Sequence, residues 1–464
     1  MVFSSTVFLF LFLPITLILY FNPLCQKREY RNIVLLIMSL GFYAWGEPIF
    51  VFIMLALIVM DWSLALWIEK VKNKKIILYS AVFIHLAVFF VFKYLTFVCR
   101  NVNLLLKEDY FTVSIVLPIG ISFFSFQMLS YIFDVYYGNA KAAKNLIHVA
   151  LYVSMFPQLV AGPIVRYDTV AEEIVSRQEN AKEFVAGISR FIVGLAKKVL
   201  LSNYFGIVTD NIFILYRENS ISVMLAWLGA IAYTFQIYFD FSAYSDMAIG
   251  LGRVFGFHFN ENFNYPYISA SVTEFWRRWH ISLSTWFRDY IYIPLGGNRC
   301  SKKRHIFNIF VVWLLTGIWH GAEWTFIVWG LLYFVFLMIE KNTNIIKRMG
   351  WFSHVYTMLV VILAWVVFRA ENLTEAVGYI GTMIGVNSCG LSDVIFVEYL
   401  KQAKWLLVAG VIFSMPYYKT AIRKVIKSEN VYQIFRMGVS IVLFLTSLAC
   451  LVKSTYNPFI YFNF

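Results

Sequence analysis

The stretch "VFSSTVFLFLFLPITLILYFN", residues 2–22, is almost entirely apolar and is about as long as one helical crossing of a bilayer. No basic residue precedes it and no small-residue cleavage site follows it, so we expect a retained first helix and not a signal peptide. The whole chain of 464 residues has this character, with 60% hydrophobic residues, 14% charged residues and a mean hydropathy of +0.70. Soluble domains are about 45–50% apolar and about 25% charged. The sequence therefore predicts an integral membrane protein.

The apolar segments are separated by short polar loops and do not alternate between apolar and polar residues. This pattern excludes an outer-membrane barrel, and only helices then satisfy the backbone in lipid. We predict an all-α polytopic membrane protein with about 10–12 transmembrane helices plus re-entrant or interfacial helices. We expect one membrane domain over residues 1–464, with peripheral helices over about 1–110, a catalytic core over about 111–340 and C-terminal helices over about 341–464.

The net charge of +13 comes largely from basic residues in short loops between apolar segments. Loops of this kind usually mark the cytoplasmic side, so we expect a bacterial inner-membrane protein with both termini outside and no nucleic-acid partner. The five cysteines are scattered and have no histidine neighbours at metal-binding spacing. Neither a bound metal nor a disulfide framework is expected. The basic loops are 27–31, 70–75, 298–305, 341–348 and 419–427.

The stretch "TEFWRRWHISLSTWFRDYIYIPLGGNR", residues 273–299, carries too much charge for a lipid-facing helix. As one helix it has an aromatic face and an opposite face that is rich in arginine. One interpretation is an interfacial helix that the aromatic residues anchor in the membrane. The other is the cytoplasmic rim of a tunnel whose arginines meet an anionic substrate. The flexible "PLGGNR" that follows favours the second interpretation.

His320 stands in "GIWHGAEWTF", residues 317–326, inside an apolar segment. If the helix continues to Trp324, then Gly317, His320 and Gly321 share one face. The glycines either allow another backbone to pack closely or leave a cavity. Ionisable groups at membrane depth are costly, and neutral imidazole suits general-base work near pH 7. Spacing alone does not decide between packing and catalysis.

Other polar residues fall inside apolar segments, where lipid-facing helices would not carry them. We expect these residues to lie in the protein interior or to line a wet cavity, and hydrogen bonds between helices explain many of them. They are Ser122, Ser125, Gln127, Tyr131, Asp134, Gln158, Arg166, Gln236, Tyr238, Asp240, Ser242, Tyr244 and Asp246.

The block "NFNYPYISASVTEFWRRWHISLSTWFRDYIYIPLGGNR" followed by "GIWHGAEW" resembles the membrane-bound O-acyltransferase family. It is most similar to the bacterial branch that holds the alginate and peptidoglycan O-acetylation proteins and the D-alanyl transfer protein of teichoic acid synthesis. The resemblance implies a ring of helices around a funnel, where a cytoplasmic acyl donor meets an acceptor from outside. It also implies that His320 is the catalytic histidine, set in a chamber flanked by glycines, and that His280 is a second site residue.

With acetyl-CoA as the donor, we expect a group of basic and aromatic residues to bind it. The members of that group are Arg277, Arg278, Arg288, Arg299, Trp279 and Trp319. The activity that the resemblance implies is O-acetylation of an exported or cell-surface polysaccharide. D-alanyl transfer, and a non-enzymatic transporter or scaffold, are the alternatives. No repeat supports a transporter, and a scaffold would not explain a buried histidine.

The longest external segment, 369–403, is too short for a catalytic domain and carries no GxSxG motif. We therefore expect the acyl group to pass to an extracytoplasmic acetyltransferase-like or esterase-like partner, or to a small membrane carrier protein. The tail "NPFIYFNF", residues 457–464, is the predicted docking surface for that partner, with an interfacial belt that contacts membrane lipids as the alternative.

Overall fold

The structure is a computed structural model that describes residues 1–454 and 456–460. These residues form helices joined by turns and include no β-strand, so the all-α prediction is confirmed. The α-helices are α1 Leu13–Tyr20, α2 Arg28–Ala44, α3 Phe50–Lys70, α4 Lys74–Phe89, α5 Leu95–Leu106, α6 Ile121–Tyr137, α7 Leu146–Ser154, α8 Tyr167–Val175, α9 Ala181–Ala196, α10 Asn203–Glu218, α11 Val223–Val254, α12 Val272–Arg278, α13 Ile281–Phe287, α14 Lys302–His320, α15 Trp324–Asn342, α16 Ile345–Met349, α17 Phe352–Arg369, α18 Leu373–Met383, α19 Val394–Phe413, α20 Tyr417–Val425 and α21 Glu429–Lys453. Wider π-helical turns occupy Phe8–Phe12, Phe90–Tyr94, Lys197–Ser202 and Arg288–Tyr292, and a 3₁₀ turn occupies Pro266–Ile268.

Six helices of the described chain are long and apolar enough to cross a membrane, and α19 with α20, bent by 78°, would make a seventh. These are fewer than the 10–12 crossings that the apolar segments predict. The difference arises because several apolar segments fold into short helices. In the apolar segment at 147–164, for example, α7 is only nine residues long, Leu146–Ser154. The six helices are Phe50–Lys70, Lys74–Leu106, Val223–Val254, Trp324–Asn342, Phe352–Arg369 and Glu429–Lys453.

The chain forms two compact units, which we call unit 1 (residues 1–191 and 244–261) and unit 2 (residues 192–243 and 262–464). The functional subdivision expected near residues 110 and 340 is a separate matter and stays a prediction. Both candidate histidines belong to unit 2.

Unit 1 contains an ion cluster around Glu179, which lies in the loop between α8 and α9. The Glu179 carboxylate accepts hydrogen bonds from Tyr20, from Arg28 at 2.5 Å and from Arg31 at 2.7 Å. Burial alone would raise the pKa of this carboxyl, but the hydrogen bonds from Arg28 and Tyr20 lower it to about 2. Glu179 is therefore charged at neutral pH and ties the loop to α1 and α2.

The polar residues predicted to lie in the protein interior are mostly buried. In unit 2, Gln236 and Ser242 are buried in α11, and Asp240 in the same helix forms an ion pair with Lys198 at 2.6 Å. In unit 1, Asp246 forms an ion pair with Arg190 at 2.8 Å. The interior placement is confirmed for Gln236, Asp240 and Ser242, whereas Asp246 is only partly buried. Pairing between helices accounts for both acidic groups.

The stretch 273–299 is not one helix, although its aromatic residues are buried as a helical face predicts. The Ser271 side chain caps the start of helix α12 by accepting from the Glu274 N–H at 3.0 Å, and Glu274 accepts from the Ala270 N–H at 2.9 Å. It ends at Arg278, and His280 has a left-handed backbone with φ 45° before α13 begins. The aromatic face is thus split and packs inside the protein, which makes the single interfacial helix wrong. The buried face comprises Trp276, Trp279, Leu283, Trp286 and Tyr290.

The apolar segment that contains His320, residues 306–340, folds as a hairpin of α14 and α15 and not as one long span. Gly321 has an extended backbone with φ −169° and ends α14. The expectation that the helix continues to Trp324 is therefore wrong, because Trp324 begins the returning helix. The two basic segments 298–305 and 341–348 consequently lie at the same end of the hairpin, as their assignment to one membrane side requires.

Candidate functional site

His320 is the last residue of α14 and lies at the closed end of the hairpin. Its side chain is buried, with 3% of the residue exposed. The imidazole sits edge-on to three aromatic rings, with centroid separations of 5.0 Å to Trp319, 4.9 Å to Trp329 and 5.3 Å to Phe368. Such a cage excludes bulk water and fixes the orientation of the ring.

The glycines around His320 serve close packing between the two arms of the hairpin. A Cβ on Gly317 would lie 2.6 Å from the Phe326 carbonyl oxygen, and one on Gly330 would lie 2.5 Å from the Trp313 carbonyl oxygen. A Cβ on Gly321 would lie 2.2 Å from the Phe326 ring. The expectation that glycines flank an open chamber is thus wrong, because neighbouring atoms already fill the space beside them.

His280 lies at the break between α12 and α13 and is completely buried. Its Nδ1 lies 3.2 Å from Asn262 Oδ1, and the same oxygen accepts from the Ser282 N–H at 3.1 Å and from the Ser282 hydroxyl at 2.9 Å. Asn262 Oδ1 can only accept hydrogen bonds. His280 is therefore oriented with its Nδ1 protonated and donating to that oxygen. Burial lowers the pKa of His280 to about 3, so the imidazole is neutral at physiological pH. The sequence gives no signal for Asn262, since nothing in its local pattern marks a partner for His280.

Trp319 brings the two histidines into one site. Its ring centroid lies 5.0 Å from that of His320 and 6.0 Å from that of His280. Trp319 is itself buried, with 3% exposed. The structure therefore places three of the predicted site residues together inside unit 2, although Trp319 stands between the two imidazoles and not on the surface.

Trp279 and the four predicted arginines are distributed differently. Trp279 is buried in an aromatic core, with its ring centroid 5.5 Å from Phe275 and 4.9 Å from Trp365. Such packing stabilises the fold, and a role in donor binding stays a prediction. Among the predicted arginines, Arg278 pairs with Glu274 at 2.9 Å and Arg288 pairs with Asp289 at 2.6 Å. The other two, Arg277 and Arg299, are exposed.

Unit 2 also contains a cleft of about 540 Å³, which we call the basic cleft. It includes Arg288 of the predicted set, together with Lys341 and Tyr292, which no sequence motif marks as site residues. Lys341 Nζ and the Tyr292 hydroxyl lie 2.7 Å and 2.8 Å from His305 Nε2. The full lining is Ser271, Thr273, Ser284, Arg288, Tyr292, Ile309, Val312, Trp313, Leu337, Met338, Glu340, Lys341 and Ile346.

The basic cleft carries two cationic side chains, Arg288 and Lys341, and one carboxylate, Glu340. Glu340 accepts hydrogen bonds from the Val272 N–H at 2.6 Å and from the Thr273 N–H at 3.0 Å, which caps the start of α12. Arg288 is paired with Asp289 at 2.6 Å, Lys341 contacts His305 at 2.7 Å, and apolar residues form the floor. The cleft reaches Trp313, which lies two helical turns, or about 10 Å, before His320 on α14.

The tail predicted to dock a partner folds back into unit 2 over its described part. Phe459 and Ile460 are buried, and the backbone around them is hydrogen-bonded to Lys198 and Asp240. Residues 457–460 are thus not an external docking surface, because their apolar side chains are already covered. Residues 461–464 lie outside the described part of the chain.

No group of three His, Cys, Asp or Glu side chains in residues 1–454 and 456–460 is arranged to hold a metal ion. The prediction that the reaction uses no metal stays a prediction.

The apolar helices define a multi-pass membrane protein, and its two candidate histidines are buried in unit 2. The family model for MBOAT, the membrane-bound O-acyltransferase family, matches residues 142–374, a range that contains both histidines. The chain belongs to this family and is an O-acyltransferase.

Three relatives show the range of similarity. The chain is 39% identical to a "Probable alginate O-acetylase AlgI" of Pseudomonas putida, with all of both chains covered. It is 32% identical to a "Peptidoglycan O-acetyltransferase" of Helicobacter pylori over all of this chain and 98% of the relative. A "Teichoic acid D-alanyltransferase" of Bacillus subtilis is 30% identical over 47% of this chain and 58% of the relative.

Proposed function

We propose that this protein transfers an acetyl group from acetyl-CoA to a hydroxyl on the outer side of the bacterial inner membrane, in the O-acetylation of an exported or cell-surface polysaccharide. The observation that carries the proposal is the end-to-end similarity to proteins named as alginate and peptidoglycan O-acetylating enzymes. The similarity to a D-alanyltransferase covers less than half of this chain, which favours acetyl over D-alanyl.

The proposed chemistry centres on His320. The neutral imidazole takes the proton of the acceptor hydroxyl while that oxygen attacks the thioester carbonyl. The carbon–sulfur bond then breaks, and the imidazolium returns the proton to the departing thiolate, which gives the O-acetyl ester and free coenzyme A. The aromatic cage around His320 supports this role, since a neutral base in a dry site needs no desolvation when the substrate arrives.

His280 has a positioning role in this scheme and does not act as the base. Its pKa of about 3 makes it a weak proton acceptor near neutrality. Its contact with Trp319, 6.0 Å between ring centroids, orients the ring that packs against His320. Loss of His280 should therefore lower the rate less than loss of His320.

The donor site in this proposal is the basic cleft. Lys341, and Arg288 on exchanging Asp289 for a phosphate, would pair with the phosphates of coenzyme A. The exposed Arg277 and Arg299 would add positive charge on the surface of unit 2. The apolar floor that leads to Trp313 suits the pantetheine arm, which carries the thioester towards His320. The basic ends of the α14–α15 hairpin would face the cytoplasm, where acetyl-CoA is made.

The acceptor in this proposal is a hydroxyl of a partner protein or small carrier, which then esterifies the polysaccharide outside the cell. The described residues of 369–403 form the short helix α18, a loop and the start of α19, which leaves no room for a separate catalytic domain. The partner must therefore dock on a surface other than residues 457–460.

One experiment tests the donor and the activity together. Purified protein in nanodiscs is incubated with radiolabelled acetyl-CoA and membrane extract, and both free coenzyme A and the labelled product are measured. The His320→Gln variant is the matched control. Acetyl transfer by the wild type alone supports the proposal. Transfer only from a D-alanyl carrier-protein thioester would replace acetyl with D-alanyl, and no transfer from either donor would overturn both.

A further inference from the structure

Residues 456–460, which we call the C-terminal strap, are held inside unit 2 by a buried ion pair. Lys198 Nζ lies 2.6 Å from Asp240 Oδ1, and the two side chains are only 3% and 1% exposed. Lys198 also donates to the Pro458 carbonyl, and Asp240 Oδ2 accepts from the Ile460 N–H at 2.8 Å. Each charge therefore binds both its partner and the backbone of the strap.

A second set of contacts fixes the beginning of the strap. The Tyr456 hydroxyl donates to Asp210 Oδ2 at 2.5 Å, and Asp210 Oδ1 accepts from Arg369 at 2.6 Å. Asn203 Nδ2 donates to the Tyr456 carbonyl at 3.3 Å. Backbone groups buried in a membrane protein need partners of this kind. The strap is thus bound at both ends.

The strap belongs to the same buried core as the wall of the histidine site. Ile460 is part of one apolar cluster with Trp329 and Phe368. The rings of these two residues lie 4.9 Å and 5.3 Å from the His320 imidazole. Because closely packed side chains transmit a displacement to their neighbours, a shift of the strap should shift the aromatic rings around His320.

Stability alone does not explain a buried ion pair at this place. Removing two charges from water is costly, and well-packed apolar residues often stabilise a fold equally well. An ion pair does, however, specify one position for the groups that bind it. Apolar side chains would leave the Pro458 carbonyl and the Ile460 N–H without these partners.

We propose that Lys198 and Asp240 are positioning residues for acyl transfer, which hold the C-terminal strap so that the cage around His320 keeps its reactive geometry. This inference rests on the proposed function for its catalytic readout. Whether the ion pair holds the strap in place is measured separately, without any activity assay.

The test uses the full-length protein with Phe459→Cys as a reporter of strap exposure, and peptide mass mapping separates its thiol from the native ones. Lys198→Met with Asp240→Leu removes both charges and avoids an unpaired buried ion. Asp240→Asn is a second variant, since its single amide oxygen can accept from Lys198 or from the Ile460 N–H but not from both. Arg423→Ala is the control, because it removes an exposed ion pair with Glu429.

We expect maleimide to label the reporter roughly 10- to 100-fold faster in the double variant and in Asp240→Asn, as loss of a charge-assisted hydrogen bond implies. We expect kcat without the reporter to fall by about 10-fold or more, with KM for acetyl-CoA and the melting temperature little changed. The control should match the wild type in every readout.

Two results would overturn the inference: equally fast labelling in the wild type and both variants, or a freed strap with normal kcat. If the double variant does not fold, Asp240→Asn decides by the same criteria. If the wild type transfers no acetyl group, the proposed function fails by itself. The same variants are then assayed with the D-alanyl carrier-protein thioester, while the labelling still tests whether the pair holds the strap.

Discussion

Replacement of His320 by glutamine removes the proposed base while keeping most of the side-chain volume. The imidazole is enclosed by Trp319, Trp329 and Phe368, with all three ring centroids within 5.3 Å. Glutamine fills much of this space and has hydrogen-bonding groups, but its amide does not accept a proton near neutral pH. The variant therefore separates the chemical role of His320 from its packing role.

The size of the effect follows from these two roles. Positioned general-base catalysis contributes about 10²–10⁴-fold in rate, so we expect kcat to fall by that factor. From sequence alone we expect His320→Ala to leave stability nearly unchanged, but the burial of the ring argues against this. Truncating a buried aromatic ring to alanine costs about 3–5 kcal/mol, and the smaller imidazole should cost somewhat less. Low yield of the alanine variant would therefore not exclude catalysis.

The assay is release of coenzyme A from acetyl-CoA in nanodiscs, corrected for folded protein by size-exclusion chromatography. His85→Gln is the matched control, because His85 is a buried histidine of unit 1 that pairs with Asp61 at 2.8 Å and lies outside the proposed site. We expect its folded fraction to keep the wild-type kcat. A folded His320→Gln variant that works within about twofold of the wild type would refute the role of His320 as the base.

Three further predictions concern the donor, the second histidine and the hairpin. Lys341→Ala should raise KM for acetyl-CoA by about 10-fold with little change in kcat, because it removes one phosphate partner; an unchanged KM would place the donor elsewhere. The pKa of His280 falls from 6.5 in the unfolded chain to about 3 in the fold, so its contribution to stability is complete above pH 6.5 and is lost as pH falls towards 3. The melting temperature should then depend less on pH in His280→Asn over that range, and equal slopes would contradict the assignment. Gly317→Ala should cost about 1–3 kcal/mol in unfolding experiments, since its Cβ would meet the Phe326 carbonyl at 2.6 Å, whereas Gly41→Ala, with no atom within 4 Å, should cost nothing.

The fold class could be read from the sequence because composition alone decides between a membrane and a soluble protein. The breaks in the helices could not, since they depend on contacts distant in sequence. His280 adopts a left-handed backbone beside Asn262, 18 residues earlier in the chain, which accepts from the two residues that follow the break. The helical periodicity of residues 273–299 does not indicate that Asn262 contacts this stretch. The aromatic face was nevertheless predicted correctly, because burial follows the pattern even where the helix is interrupted.

Some residues of the candidate site could be predicted from the sequence, and others could not because their contacts are distant in sequence. His320 stands out because an ionisable residue in an apolar segment is rare. Lys341 and Tyr292 look like ordinary residues at the ends of helices, and only the fold brings them to His305. The tail "NPFIYFNF" has the composition of an exposed belt, yet Phe459 and Ile460 are buried because Lys198 and Asp240 bind the backbone beside them.

Transfer across a sealed membrane tests the central claim most directly. The purified protein is reconstituted in liposomes of known orientation, with radiolabelled acetyl-CoA inside. The hydroxyl acceptor is supplied outside, either as the partner protein alone or as the polymer together with the partner protein. We predict labelled O-acetyl ester on the outside acceptor, free coenzyme A inside, and neither product with His320→Gln. Wild-type liposomes of confirmed orientation that release no coenzyme A and leave the outside acceptor unlabelled would contradict the account.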